Sequence, residues 1–232
     1  MSTAVLFDLG NTLVSYYRAS EFRPILERAI DEVMGELRSR AMAKGSYEAA
    51  LERALAENRE AGDFRVMPLA SRLERIFELS PHDASLAALL CEIFLRPIFA
   101  VGRVYEDTIP VLRKLRAAGY RTAIVSNAPW GSPPQSWRRE LRRLGLAALV
   151  DSVAICGDVG WRKPAPQIFE HAAAELGVRC RECLFVGDDP RWDIEGSAAV
   201  GMRPLLIDRA GDQLAYRGER VIDLYGVLNY CV

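Results

Sequence analysis

Apolar residues along this chain follow two rhythms, and the change between them divides it. Ala4-Val5-Leu6-Phe7 is a short unbroken apolar run that stops at Asp8 and Gly10. Such a run predicts a strand covered on both faces, as strands of a parallel sheet are. From about Glu21 to Phe99 the spacing becomes helical: Ile25, Ala29, Val33 and Leu37; then Leu69, Leu73, Ile76 and Phe77; then Leu86, Leu89, Leu90, Ile93 and Phe94. Breaks fall at Lys44-Gly45-Ser46, Ala61-Gly62-Asp63 and Ser80-Pro81. This predicts about four helices with polar outer faces and no strand.

After Asp107 helix and strand alternate. Helical spacing covers 109–118, 137–144, 166–176 and 194–200, and apolar strand runs cover 122–125, 152–155, 184–186 and 204–207. Alternation of this kind predicts right-handed crossovers and an α/β class, a doubly wound Rossmann-like parallel sheet. The run at 4–7 joins that sheet, so the helical stretch is inserted into it. The expected division is a core of residues 1–15 and 104–232 with a helical cap of 16–103.

Charge and composition narrow the partners. The 232 residues carry 30 basic and 31 acidic side chains, a net charge of -1, so no basic field exists to hold nucleic acid. A small molecule is the expected partner of a monomer or homodimer. No apolar run approaches the roughly 20 residues that span a bilayer, so no membrane is expected. Met1-Ser2-Thr3-Ala4 lacks the features of a signal peptide, and the five cysteines are an odd number. Both observations predict a reducing compartment, the cytoplasm. Cys180 and Cys183 form a CxxC, but a zinc site needs a second pair and the only histidines are His82 and His171. Those two cysteines are read as incidental.

In open α/β sheets ligands sit beyond the carboxyl ends of the strands, and four such ends carry polar residues. Asp8 is followed by Gly10, Asn11 and Thr12, a small turn whose N–H groups and hydroxyl suit an anion. Ser126-Asn127 offers a hydroxyl and a backbone N–H where a helix cap is the plainer role. Lys163 lies in Gly160-Trp161-Arg162-Lys163-Pro164; aimed inward, it would neutralise a carboxylate and a phosphoryl group. Gly187-Asp188-Asp189-Pro190, with Asp193 after it, sets carboxylates that would repel Asp8 unless a hard cation sat among them. Magnesium, an oxygen-seeking ion that keeps several waters, is the natural choice.

These four stretches resemble the haloacid dehalogenase superfamily. Phe7-Asp8-Leu9-Gly10-Asn11-Thr12-Leu13 is similar to its first motif, Ser126-Asn127 to its second, Lys163-Pro164 to its third, and Gly187-Asp188-Asp189 through Asp193 to its fourth. Arg162 before the lysine and Gln167-Ile168-Phe169 after it fit the same pattern, and the inserted helices look like the superfamily's cap. The resemblance implies a magnesium-dependent phosphatase acting on a small phosphorylated metabolite, with Asp8 as nucleophile. It implies that Ser126 and Lys163 bind the phosphoryl group, that Leu9, Asn11, Thr12 and Asn127 complete the substrate site, and that Asp8, the Gly10 carbonyl and Asp188 hold magnesium with Asp189 or Asp193 in support. One position departs from the pattern. Most phosphatases of the superfamily have a second aspartate, their general acid and base, where this chain has Gly10. Two other readings therefore stand beside it: a 2-haloacid dehalogenase, which needs no metal, and a weakened phosphatase-like binding protein. Tyr16, Tyr17, Arg18 and Trp130 lie next to the first two motifs and are candidates for the pocket wall or for cap packing.

Overall fold

The computed structural model describes residues 3–58, 62–80 and 84–231. The breaks expected at Ala61 and Pro81, and Met1, Ser2 and His82, lie outside them. Strand β1 (Ala4–Phe7) leads through a turn to a two-residue strand, β2 (Val14–Ser15). Four helices follow: α1 (Phe22–Ser39), α2 (Tyr47–Glu57), α3 (Leu69–Ile76) and α4 (Ala84–Val101). Strand β3 (Arg103–Val104) then pairs antiparallel with β2. Beyond it come α5 (Thr108–Ala117), β4 (Arg121–Ser126), α6 (Pro134–Arg143), β5 (Ser152–Ile155), α7 (Cys156–Val159) and α8 (Pro166–Glu175). The chain continues through β6 (Cys183–Gly187), a π-helical segment Pro190–Glu195, α9 (Gly196–Ala199), β7 (Arg203–Ile207) and β8 (Arg220–Val221).

The doubly wound sheet expected from the alternation is present. Its six strands run parallel in the order β5-β4-β1-β6-β7-β8. The unbroken apolar run is β1, which lies between β4 and β6 and is fully buried from Ala4 to Phe7. Phe7 pairs in register with Ile124 of β4 and Val186 of β6. Asp8, Ser126 and Asp188 therefore leave the sheet at one edge.

The differences from expectation have local causes. Residues 194–200 do not form one helix, because Pro190 starts a π segment in which the Ile194 N–H reaches back to the Asp189 carbonyl, 3.3 Å away. The ribbon strands β2 and β3, and β8 in the polar tail, are too short for a two-residue period to register. Helix α4 differs from the expectation that no apolar run is long enough: its 18 residues are, by length and composition, apolar enough to cross a bilayer. Here α4 packs against α1 and α3, with Leu90, Phe94 and Ile98 buried.

Two contacts tie the helical insertion to the sheet. At its base the Leu13 carbonyl accepts from the Tyr105 N–H (3.2 Å) and the Thr108 hydroxyl (2.8 Å). Beside it buried Asp107 accepts from Arg209 Nη1 (3.0 Å) and Nη2 (2.9 Å) and from the Leu224 N–H (2.8 Å). Arg209 also donates to the Thr12 carbonyl at 2.9 Å. At its far end the loop before α3 lies antiparallel to the lysine loop. The Val66 N–H donates to the Gly160 carbonyl and the Arg162 N–H to the Phe64 carbonyl, each 3.0 Å.

Asp107 joins the turn after Asp8, the base of the insertion and the C-terminal tail, so its loss would leave a half-buried guanidinium without its carboxylate and the Leu224 N–H without its acceptor. Asp107→Ala should lower stability by about 3 kcal/mol, read as a shifted urea midpoint. An unmoved midpoint would show that the clamp contributes nothing.

Candidate active site

Asp8 stands at the carboxyl end of the central strand, 7% exposed. Lys163, fully enclosed on its side loop, donates from Nζ to Asp8 Oδ1 at 2.5 Å and to Asp193 Oδ1 at 2.6 Å. Asn127 fixes the backbone from which that lysine leaves: its Oδ1 accepts the Lys163 N–H (2.8 Å) and its Nδ2 donates to the Lys163 carbonyl (3.1 Å). The π segment turns Asp193 inward against the end of β6. Only glycine fits beneath it, because a Cβ at Gly187 would lie 2.3 Å from Asp193 Oδ2.

One ammonium faces three carboxylates in this space. Asp8, Asp188 and Asp193 each offer an oxygen, all within 4.8 Å of one another, and among the described residues they are the only group able to hold a metal ion. Burial, then the charges of Asp8 and Asp193, push the Asp188 carboxyl up to about 8. Burial raises Asp193 too, against the pull of Lys163. Burial alone would lower Lys163, but Asp193 and Asp8 outweigh it and raise it. All three shifts share one origin, an excess of negative charge away from water. A hard divalent cation with oxygen ligands fits this donor set.

A cavity of about 200 Å³ opens over Asp8. Leu9, Gly10, Asn11, Ser126 and Asn127 form its floor, and Tyr16, Tyr17, Ile98, Pro129 and Trp137 its wall. Roomier hollows beside Leu73 in the insertion (about 290 Å³) and beside Asp151 (about 340 Å³) lie away from the carboxylate cluster, so chemistry and not volume marks the site.

The remaining site candidates sit in varied surroundings. Thr12 is wholly buried, outside the cavity lining, with its hydroxyl unpartnered. Asn11 takes φ +56°, and its N–H donates inside the turn to the Val14 carbonyl at 2.7 Å, so it is not offered to an anion. Asp189 is spent on the π segment, where its Oδ1 accepts the Arg191 and Trp192 N–H groups at 2.8 Å each. Asp193, not Asp189, joins the metal-competent cluster. Of the four pocket candidates, Tyr16 and Tyr17 line the cavity and Arg18 is exposed. Trp130 packs edge-on against Phe94, with ring centroids 5.4 Å apart. Sequence reasoning missed the anchoring role of Asn127, although an amide next to a strand-end serine was a visible signal. Ile98 and Trp137 gave none, since each reads as ordinary helix core. Cys180 and Cys183 are free thiols.

Residues 3–201 match the family model for haloacid dehalogenase-like hydrolases, and the chain belongs to that family. It is 30% identical over 217 residues to glyceraldehyde 3-phosphate phosphatase of Methanopyrus kandleri, covering 90% of this chain and 85% of that one. To ribulose-1,5-bisphosphate 5-phosphatase of Halopiger xanaduensis it is 32% identical over 219 residues, again 90% and 85%. A crystal structure of a HAD phosphatase from Thermococcus onnurineus matches with a TM-score of 0.71 at 28% identity, over 100% of this chain and 98% of that one.

The division of labour between neighbouring acids is testable. Asp188→Ala should abolish Mg²⁺ or Mn²⁺ binding in a calorimetric titration. Asp189→Ala should retain it while losing about 1 kcal/mol of stability with the cap. Equal loss of metal in both variants would overturn the assignment.

Proposed function

We propose that the protein is a magnesium-dependent phosphatase that hydrolyses a small phosphate monoester, such as a sugar phosphate, through an aspartyl-phosphate on Asp8. The observation that carries this reading is the Lys163 ammonium between Asp8 and Asp193, 2.5 and 2.6 Å from their oxygens. It holds a carboxylate oriented in a nearly dry site, which a nucleophile needs. An Asp8 oxygen attacks phosphorus, and the bond to the leaving oxygen breaks with its electron pair going to that oxygen. Water then attacks the acyl phosphate and restores the carboxylate. An ammonium has three donors and two are used here, so we assign the third, with the Ser126 hydroxyl, to the phosphoryl oxygens. Asp8, Asp188 and Asp193, with the Gly10 carbonyl, would hold magnesium, which supplies charge neutralisation at the phosphoryl group.

We assign residues 16–103 the role of a cap that shields the reaction from water. Five free cysteines favour the reducing cytoplasm as its compartment. The acidic cluster counts against the dehalogenase reading, which has no use for it. The binding-protein reading leaves the nucleophile, lysine and metal acids without a purpose.

Asp8→Asn should reduce turnover of p-nitrophenyl phosphate to background in a folded protein, and chelation should silence the wild type. Chelator-resistant halide release from 2-chloropropionate would install the dehalogenase instead.

Gly10 supports a sharper expectation. General acid help contributes about 10²–10⁴-fold when the leaving group needs a proton, and a glycine supplies none. The wild type should therefore discriminate steeply between aryl and alkyl phosphates. The turn tolerates a side chain, since a Cβ at Gly10 would meet only Tyr16 Cδ2, at 4.0 Å. Gly10→Asp should raise the alkyl-to-aryl rate ratio about tenfold or more. An unchanged ratio in a folded, metal-binding variant would show that another group already gives the proton.

A further inference from the structure

Phosphate esters differ most in what the rest of the molecule carries: a second phosphate, a carboxylate, or only hydroxyl and carbonyl oxygens. The two relatives above fall on different sides of that division by their names. The wall of the cavity over Asp8 distinguishes them chemically. Opposite the carboxylate it is built from Tyr16, Tyr17, Trp137, Ile98 and Pro129, and no lysine or arginine lines it among the described residues. At about 200 Å³ it falls below the roughly 300 Å³ at which pockets for drug-sized ligands begin. The guanidinium beside Tyr16, that of Arg143, is held by both oxygens of buried Glu140, at 2.6 and 2.7 Å, and brings no net charge.

The Tyr16 hydroxyl is buried and makes no hydrogen bond, although its ring is tightly located. It lies edge-on to Trp137 with centroids 5.6 Å apart, and a Cβ at Gly102 would come within 2.9 Å of it. That hydroxyl is shut away from the cavity, so Tyr16 presents its ring and not its oxygen to a ligand. Burial, and then Glu140, raise the phenol's pKa, so it stays neutral. A second anion entering here would lose its hydration and find no cation in return.

We propose that this cavity, small and walled by aromatic and apolar side chains, selects phosphate monoesters with a short, uncharged organic part and rejects substrates carrying a second phosphate or a carboxylate. The inference rests on the phosphatase reading above and adds the substrate class to it.

The test compares kcat/KM of the wild type with Mg²⁺ on two substrates of equal length, glyceraldehyde 3-phosphate and 3-phosphoglycerate. Acetyl phosphate reports the basal chemistry, and ribulose 1,5-bisphosphate serves as a second anionic probe. The aldehyde should exceed both anionic substrates by about tenfold or more. Ile98→Arg, which adds a cation to the wall, should narrow the gap to 3-phosphoglycerate. Equal or better turnover of the anionic substrates by a wild type active on acetyl phosphate would overturn the selection while leaving the phosphatase reaction standing. Inactivity on every phosphate would overturn both.

Discussion

The buried ammonium of Lys163 is the contact on which the rest of this site depends. A lysine so enclosed is costly unless its charge is met, and here Asp8 and Asp193 meet it directly. The sheet register brings Asp8 to it, Asn127 fixes the backbone it leaves from, and Gly187 admits the carboxylate on its other side. Removing both acids would strand the ammonium in the interior, a loss of about 3–5 kcal/mol. The same arrangement leaves more negative than positive charge in a small dry volume. That imbalance suits the site to a divalent cation.

Around this centre the chain spends its polar residues on position more than on contact with substrate. Asp189 caps the segment that aims Asp193, and Asp107 with Arg209 secures the turn after Asp8. The inserted helices contribute mostly apolar and aromatic surface. Gly10 removes a carboxylate from the floor of the cavity, and Tyr16 lies in van der Waals range of the space a side chain there would use. The chemistry is thus charged at the sheet edge and neutral at the opposite wall, which is a suitable division for cleaving a bond to a small polar alcohol.

Much of this was legible in the sequence. Long segments with a clear period announced themselves: the run at 4–7, the alternation after Asp107, and the helical spacing between. Asp8, Ser126, Lys163 and Asp188 could be read because each follows an apolar strand, where α/β sheets gather their ligands. What stayed hidden depends on side-chain direction within a short stretch. Asp188, Asp189 and Asp193 look interchangeable until the π segment turns one into the cluster and spends another on backbone N–H groups. Thr12 and Asn11 follow Asp8 closely, yet the turn buries one and uses the other's N–H internally. The two-residue ribbon strands had too few residues to show a period at all. Tyr16 and Trp137 meet only through the fold, from opposite sides of the insertion.

The covalent step is the central claim, and it can be observed directly. Wild-type protein mixed with Mg²⁺ and acetyl phosphate, quenched in acid during turnover and digested, should yield the peptide containing Asp8 heavier by one phosphoryl group, with the label lost at neutral pH and absent in Asp8→Asn. Phosphate release at full rate with that peptide unmodified at every quench time, or with the label on another residue, would contradict the account.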